Sequence, residues 1–282
     1  MRTSISLTTF PDEAPADHLR EVVRVADETG IDTVWIADHL LQADPASTPD
    51  APMPQALTTL GFLAACSRRV RLGAMVSPVH LRAPTLLIKA VSTLDVLSGG
   101  RAWLGLGAGY AVGEAEATGV PLPPVAERYE HLTDALELAH RMFAGDASPF
   151  AGRRTIASGP INRPLPVRRP PILVGGMGER RTLPLVARYA DACNLFDIPD
   201  GGATVRARLA RLRRLCEDAG RPYASVEKTI TTALAPGEDP ASFAARCRAL
   251  AELGIEHVVV ITRGRPWDAR GVTTVAAAGG DP

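Results

Sequence analysis

An α/β chain wound into one (β/α)8 TIM barrel is the architecture expected here. The length of 282 residues fits the ~250 residues that such a barrel typically takes. Short apolar runs alternate with helical patterns about eight times along the chain. Strands apolar on both faces are what a helix-covered parallel sheet requires. Eight such units favour closure into a barrel over an open doubly wound sheet. No change of composition marks an internal boundary, so residues 1–282 read as a single domain.

Ser4–Thr8 reads as the first strand. His18–Thr29 follows as a helix, with Leu19, Val22, Val23 and Ala26 on one face and Gly30 at the C-cap position. Thr33–Ala37 is a short apolar run, hence a buried second strand. Pro54–Cys66 is helical, with Leu57, Leu60 and Ala64 in phase. Val70–Val76 is the third strand, Pro84–Leu97 the third helix, and Arg101–Leu106 the fourth strand. The helix Glu127–Phe143 has the clearest period: Tyr129, Leu132, Leu136, Ala139 and Phe143 recur at steps of three and four, and charged residues fill the other side. Residues 148–171 are irregular and rich in Pro and Arg, and a loop that long is usually functional or a lid. Strands resume at 172–174, 192–195, 226–233 and 257–261, with helices expected at 179–189, 205–219 and 240–253. The final segment, 267–278, is a poor helix rich in Gly and Thr.

Apolar residues make up 46% of the chain, an ordinary share for a protein with a full core. The 31 basic and 31 acidic residues balance, which removes the electrostatic case for a nucleic-acid or membrane-surface partner. Cys66, Cys193, Cys216 and Cys247 show no C-x-x-C spacing and read as reduced structural thiols. Met1–Phe10 lacks the long apolar core of a signal peptide, and no apolar run reaches the ~18 residues of a bilayer span. A cytoplasmic protein is expected.

In a (β/α)8 barrel the active residues sit where strands end and loops begin, at the C-terminal mouth. That rule selects Asp38 and His39 after strand two, and Met75, Ser77 and His80 around the end of strand three. It selects Gly107, Gly109 and Tyr110 after strand four, and Gly175, Gly176 and Gly178 after strand five. Asn194 ends strand six, and Thr262 and Arg263 end strand eight. Gly105-Leu106-Gly107-Ala108-Gly109 is not G-x-G-x-x-G, and no helix is expected directly after it, so the dinucleotide-binding context fails. Gly175-Gly176-Met177-Gly178 leads into the helix expected from Glu179. Glycines before a helix N-terminus suit a phosphate, although a plain tight turn would need them too. His39 differs from His18, His131, His140 and His257 because it leaves an apolar strand into an irregular loop. No cluster has metal-ligand spacing, and no G-x-S-x-G signature supports acyl transfer.

Taken in order, Trp35–Leu40, Arg82-Ala83-Pro84, Leu94–Arg101, Gly105–Gly109, Pro170–Gly176 and Ala187–Ala192 resemble the luciferase-like monooxygenase superfamily, in its F420-dependent oxidoreductase branch. The resemblance covers roughly residues 1–265 and implies a barrel of the bacterial luciferase-like type. It implies hydride transfer between the deazaflavin coenzyme F420 and a small organic substrate. Relatives on this fold that use reduced FMN and oxygen as two-component monooxygenases supply the alternative, and a flavin-binding protein without activity is a third reading. The coenzyme ring would lie against strand three, backed by a non-prolyl cis peptide at Ala74–Met75. Its phosphate would meet the backbone of Gly175 and Gly176, while Gly107, Ala108 and Gly109 would border the ring or its side chain. His39 would sit near the reactive carbon. A histidine there can give or take the proton that accompanies hydride transfer, or it can pack against the ring and shape the pocket. Asp38 would anchor the loop or the coenzyme's hydrogen-bonding edge. Strand alternation sends the two side chains apart, so no direct Asp–His relay is expected.

Two departures from the family pattern stand out. Members that oxidise sugar phosphates carry a tryptophan shortly after the Asp-His pair, where this chain has Leu41, Gln42, Ala43 and Asp44. Those members also carry glutamate directly after the last strand-four glycine. Here that place is Tyr110, which could donate a proton or pack on the ring. Both departures argue against a sugar-phosphate substrate and leave His39 without a carboxylic acid partner at that position. The loops 41–53, 110–126 and 148–171 carry no readable substrate motif. Similar proteins commonly form homodimers.

Overall fold

The structure is a computed structural model and describes residues 1–279. The strands β1 (Arg2–Leu7), β2 (Thr33–Ile36), β3 (Arg71–Ala74), its continuation β4 (Ser77–Pro78) and β5 (Ala102–Gly107) run parallel. A small antiparallel pair follows, β6 (Phe150–Ala151) with β7 (Ile156–Ala157). Then β8 (Ile172–Gly175), β9 (Ala192–Phe196), β10 (Glu227–Ala233) and β11 (His257–Ile261) complete the sheet. The order β3-β2-β1-β11-β10-β9-β8-β5 closes through Leu72 opposite Ala102 and Gly73 opposite Trp103. With β4 prolonging β3, this is the expected (β/α)8 barrel.

The helices that cover it are α1 (Pro15–Thr29), α2 (Ala56–Cys66), α3 (Pro84–Ser98), α4 (Val112–Thr118), α5 (Val125–Phe143), α6 (Thr182–Tyr189), α7 (Ala203–Asp218), α8 (Pro240–Glu252) and α9 (Ala269–Ala277). Apart from α4, whose buried residue is Glu114, they bury apolar faces in the core shared with the strands. In α1 the buried face includes Leu19, Val22, Val23 and Ala26, and Gly30 at φ 84° ends it by donating its N–H to Ala26 O, the left-handed cap that glycine adopts without a Cβ penalty. Inside the barrel, strand alternation brings Trp35, Trp103, Leu173, Ala192 and Val259 into one cluster. Gly73 makes that layer possible: a Cβ there would stand 2.7 Å from both Trp103 Cβ and Trp35 Cζ3.

Several expectations need correction. The segment 110–126 contains a helix, α4, so a helix does open soon after the 105–109 glycines. The helix after Gly178 begins at Thr182 rather than Glu179. The 148–171 stretch carries the β6–β7 pair. The Gly- and Thr-rich end forms a proper helix, because Asp268 caps it by accepting from Gly271 N, and Val272 and Val275 are buried. The third strand is interrupted, and its cis peptide is Met75–Val76 rather than Ala74–Met75. Register explains the offset. Ala74 still pairs with Ile36, and Met75 N still donates to Ile36 O at 2.9 Å, so the chain leaves the ladder only beyond Met75. Ladder pairing resumes with Ser77 opposite Leu106.

Candidate active site

The C-terminal ends of the strands surround a cavity of about 730 Å3. Its floor is the interruption between β3 and β4: Met75 and Val76 both line it. The glycines of β5 and β8 exist to receive that interruption. A Cβ on Gly105 would overlap the Ala74 carbonyl oxygen, one on Gly107 would lie 2.6 Å from Val76 Cγ2, and one on Gly175 would lie 3.0 Å from Val76 Cγ1. The run Gly105-Leu106-Gly107 is therefore a seat for Val76 and the Ala74 carbonyl. Beside this floor, Asn194 Nδ2 donates to Thr231 Oγ1 at 2.9 Å, and Thr229 Oγ1 donates to Asn194 Oδ1 at 2.8 Å. This small network ties β9 to β10 under the cavity.

His39 stands on the wall, where the chain leaves β2. Its Nδ1 faces both carboxylate oxygens of Glu114, each at 3.3 Å. Glu114 lies on α4, its side chain only 6% exposed, and its Oε1 also accepts from Leu40 N at 2.5 Å and Leu41 N at 3.2 Å. A carboxylate offers only acceptors, so the Nδ1 proton belongs toward Glu114. His39 Nε2 has no hydrogen-bond partner among the described residues and belongs to a cavity-lining side chain. The Tyr110 ring meets the His39 ring edge-on, with centroids 5.7 Å apart and planes at 70°. The carboxylic acid partner that the strand-four position does not offer is thus supplied four residues later.

Asp38 points elsewhere. It is 1% exposed and accepts from Ser77 Oγ at 2.5 Å and from Arg82 Nη1 and Nη2 at 2.6 and 2.8 Å. This two-pronged pair ties the end of β2 to β4 and the loop before α3, with Asp38 off the cavity wall. Ala74 also lies off the wall, whereas Gly107, Ala108, Gly109, Gly175 and Gly176 line it. Gly176 adopts φ 115° and spends its N–H on Asn194 O at 3.2 Å. The N–H groups of Met177 and Gly178, also on the wall, donate to no protein acceptor among the described residues. Thr182 Oγ1, on the first residue of α6, and Tyr129 OH share a hydrogen bond of 2.8 Å next to them.

A second histidine, His80, packs under Gly109, where a Cβ would fall 2.5 Å from its Cε1. Its Nδ1 is buried without a partner. Burial and then the Arg128 charge hold this imidazole below its ordinary value, against the opposite pull of Glu114. Arg128 in turn donates to the Gly109 carbonyl. On the opposite side, Asp44 latches the 41–53 loop over the mouth: it accepts from Gly264 N at 2.8 Å, Thr9 Oγ1 at 3.3 Å and Ala46 N at 3.0 Å.

Sequence reasoning had no hold on Glu114, on the Asn194 network or on the burial of His80. The trace of α4 in the sequence is Gly119, which caps it at φ 72°, but seven residues are too few to show a period. His257, by contrast, is a buried core residue, donating or accepting at Glu227 Oε1 and Ser4 Oγ at 2.7 and 2.5 Å. The four cysteines are free, and burial pushes the Cys193 thiol up to about 12. Among the described residues no His, Cys, Asp and Glu group could hold a metal ion, and no helix is long and apolar enough to cross a membrane.

The profile of the luciferase-like monooxygenase family matches residues 1–279. The F420-dependent glucose-6-phosphate dehydrogenase of Kineococcus radiotolerans is 32% identical over 241 residues, which are 82% of this chain and 67% of that protein. Others of that name are matched over 40% and 48% of their length, so the chain spans about two thirds or less of these relatives. Among solved structures, an F420-dependent secondary alcohol dehydrogenase in complex with an F420-acetone adduct superimposes at TM-score 0.82, with 18% identity, over 99% of this chain and 98% of its own. A monooxygenase from Streptomyces bottropensis superimposes at 0.79, with 19% identity, over 99% and 98%. At these identities the structural likeness is one of fold, whereas the profile spans nearly the whole sequence. The chain belongs to the luciferase-like monooxygenase family.

Proposed function

We propose that the protein is an F420-dependent oxidoreductase acting on a small organic substrate. The observation that carries this reading is the His39–Glu114 pair, with Nε2 left free on the wall of a cavity floored by Met75 and Val76. The names of the similar dehydrogenases support the choice of coenzyme. The residues fit such a group. The apolar floor of Met75 and Val76 suits a flat ring, and Gly105, Gly107 and Gly175 let that floor sit where it does. The unpartnered N–H groups of Met177 and Gly178 suit a phosphate, with Gly175 and Gly176 shaping the turn and α6 directing its N-terminus there. Gly107, Ala108 and Gly109 would border the ring.

When bound, the coenzyme supplies a carbon that accepts or returns a hydride. The protein's part is the proton. Glu114 holds Nδ1–H, so neutral His39 presents an Nε2 lone pair that can take the proton of a substrate hydroxyl; protonated, it can return that proton to a carbonyl oxygen. Tyr110 packs edge-on against the His39 ring and helps to orient it. Asp38 contributes by bracing the end of β2 through Arg82 rather than by touching substrate. The reading extends to a cytoplasmic homodimer, for which Leu86 and Leu97 on one face of α3, 61% and 71% exposed, offer an apolar contact; sedimentation would read the assembly. Titration with oxidised and reduced F420 and FMN tests the whole. F420 is expected to bind at least tenfold more tightly than FMN, about 1.4 kcal/mol. Preferential binding of reduced FMN with oxygen consumption would replace this reading with a flavin monooxygenase.

A further inference from the structure

Resting on that reading, we infer that the substrate is a compact, neutral, largely apolar alcohol or the carbonyl compound it forms, and not a sugar phosphate. The cavity has two ends. The turn at Met177 and Gly178, with Tyr129 and Thr182, forms one; the 42–53 loop and the end of β11 form the other. His39 and Tyr110 stand between them. If the turn takes the coenzyme phosphate, the substrate occupies the end under the 42–53 loop.

The apolar side chains at that end are Ala43, Pro45, Ala46, Met53 and Ile261. None of these side chains can hydrogen-bond a hydroxyl. The polar side chains among them spend part of their hydrogen-bonding capacity on the protein. Gln42 Nε2 donates to Pro52 O at 3.3 Å and its Oε1 accepts from Asp44 N at 2.8 Å. Asp44 is taken up by Gly264 N, Thr9 and Ala46 N, and Thr8 Oγ1 donates to Thr262 O at 3.4 Å. The side-chain groups with no protein partner there are His39 Nε2, the hydroxyls of Tyr110 and Ser6, and Arg263 at the exposed rim.

One carbinol hydroxyl finds its acceptor in His39 Nε2, and an apolar body finds matching walls. A hexose phosphate does not fit this inventory. Its several hydroxyls would exchange water for methyl and methylene groups, and each buried polar group left unpaired costs about 1–3 kcal/mol. Its phosphate would meet one guanidinium in solvent, where charge pairs contribute about 0–1 kcal/mol. Discrimination by such unpaired groups is far steeper than discrimination by size.

The test is saturation-transfer NMR and calorimetry on the protein with F420, whose binding is first established by its own fluorescence change. The probes are cyclohexanol, cyclohexanone and glucose 6-phosphate. The two neutral probes are expected to bind and to compete with each other, and glucose 6-phosphate to bind at least about tenfold more weakly or not at all. Met53→Gln, which places an amide on the apolar wall, is expected to weaken cyclohexanol severalfold while leaving F420 fluorescence titration unchanged. Glucose 6-phosphate binding more tightly than cyclohexanol, with that advantage lost in Arg263→Met, would overturn the inference. So would failure of both neutral probes to bind. If F420 itself does not bind, the coenzyme reading has failed, and the same probes on the free protein still report which chemistry the chamber accepts.

Discussion

Glu114→Gln separates the positioning of His39 from the stability of the fold. The wild-type carboxylate accepts from Leu40 N, Leu41 N and His39 Nδ1 at once. Glutamine keeps one oxygen for the two backbone donors, so folding free energy should change by no more than about 1 kcal/mol. Its amide nitrogen then faces Nδ1, which must become an acceptor. The ring proton moves to Nε2, the atom offered to substrate, and the imidazole can no longer take a hydroxyl proton there. The turnover rate for alcohol oxidation should fall by roughly the full contribution of general base catalysis, about 10²–10⁴-fold, with coenzyme affinity unchanged. Nitrogen-15 spectra of the coenzyme-free protein should report the switch of tautomer directly. Glu114→Ala, by contrast, strands the Leu40 and Leu41 donors and should also lower stability, by about 1–3 kcal/mol. A Glu114→Gln protein with turnover within about threefold of wild type and an unchanged His39 nitrogen spectrum would refute the reasoning.

Four further outcomes follow from the same geometry. Gly107→Ala drives a methyl against Val76 Cγ2 and should cost about 1–3 kcal/mol in urea unfolding; adding Val76→Ala should recover part of it, and a double mutant no better than the single would contradict the seating. Arg82→Met leaves the buried Asp38 carboxylate with only Ser77 and should destabilise by about 3–5 kcal/mol, read as a drop in the thermal midpoint; a drop no larger than that of an exposed arginine mutant would contradict the bracing role. For His80 the folded value lies below the ordinary 6.5, so the folded state binds fewer protons than the unfolded one; its contribution is present above about 6.5 and is lost as the pH falls through the folded value. Stability should therefore decline below about pH 6.5, His80→Gln should flatten that slope, and an unchanged slope would assign it to other groups. His39→Ala should keep F420 affinity within a few-fold and lower turnover about 10²–10⁴-fold, whereas lost binding with normal turnover would make His39 a wall residue.

The barrel was legible because each unit carries its own signal: apolar runs bounded by capping glycines such as Gly30 and Gly99, and amphipathic helices such as α5, whose buried Leu132, Leu136, Ala139 and Phe143 keep the period of 3.6. The rule that strand ends form the mouth placed His39, Tyr110 and the glycines around one cavity. What escaped has a common physical origin. A helix of seven residues has almost no stability of its own, so α4 exists through contacts made elsewhere, and Glu114 reaches a histidine 75 residues away. The burial of Asp38 against Arg82 spans 44 residues, and local alternation could say only that Asp38 and His39 diverge. The β5 glycines show the same limit in reverse. Their spacing excludes a dinucleotide loop but does not name the partner, which is the Ala74–Val76 interruption of the neighbouring stave. Once that partner is known, the glycines become a steric requirement of the floor. The carboxylate absent at position 110 then needs no other compensation, because the loop that follows the floor folds back as α4 and returns a carboxylate to His39 from position 114.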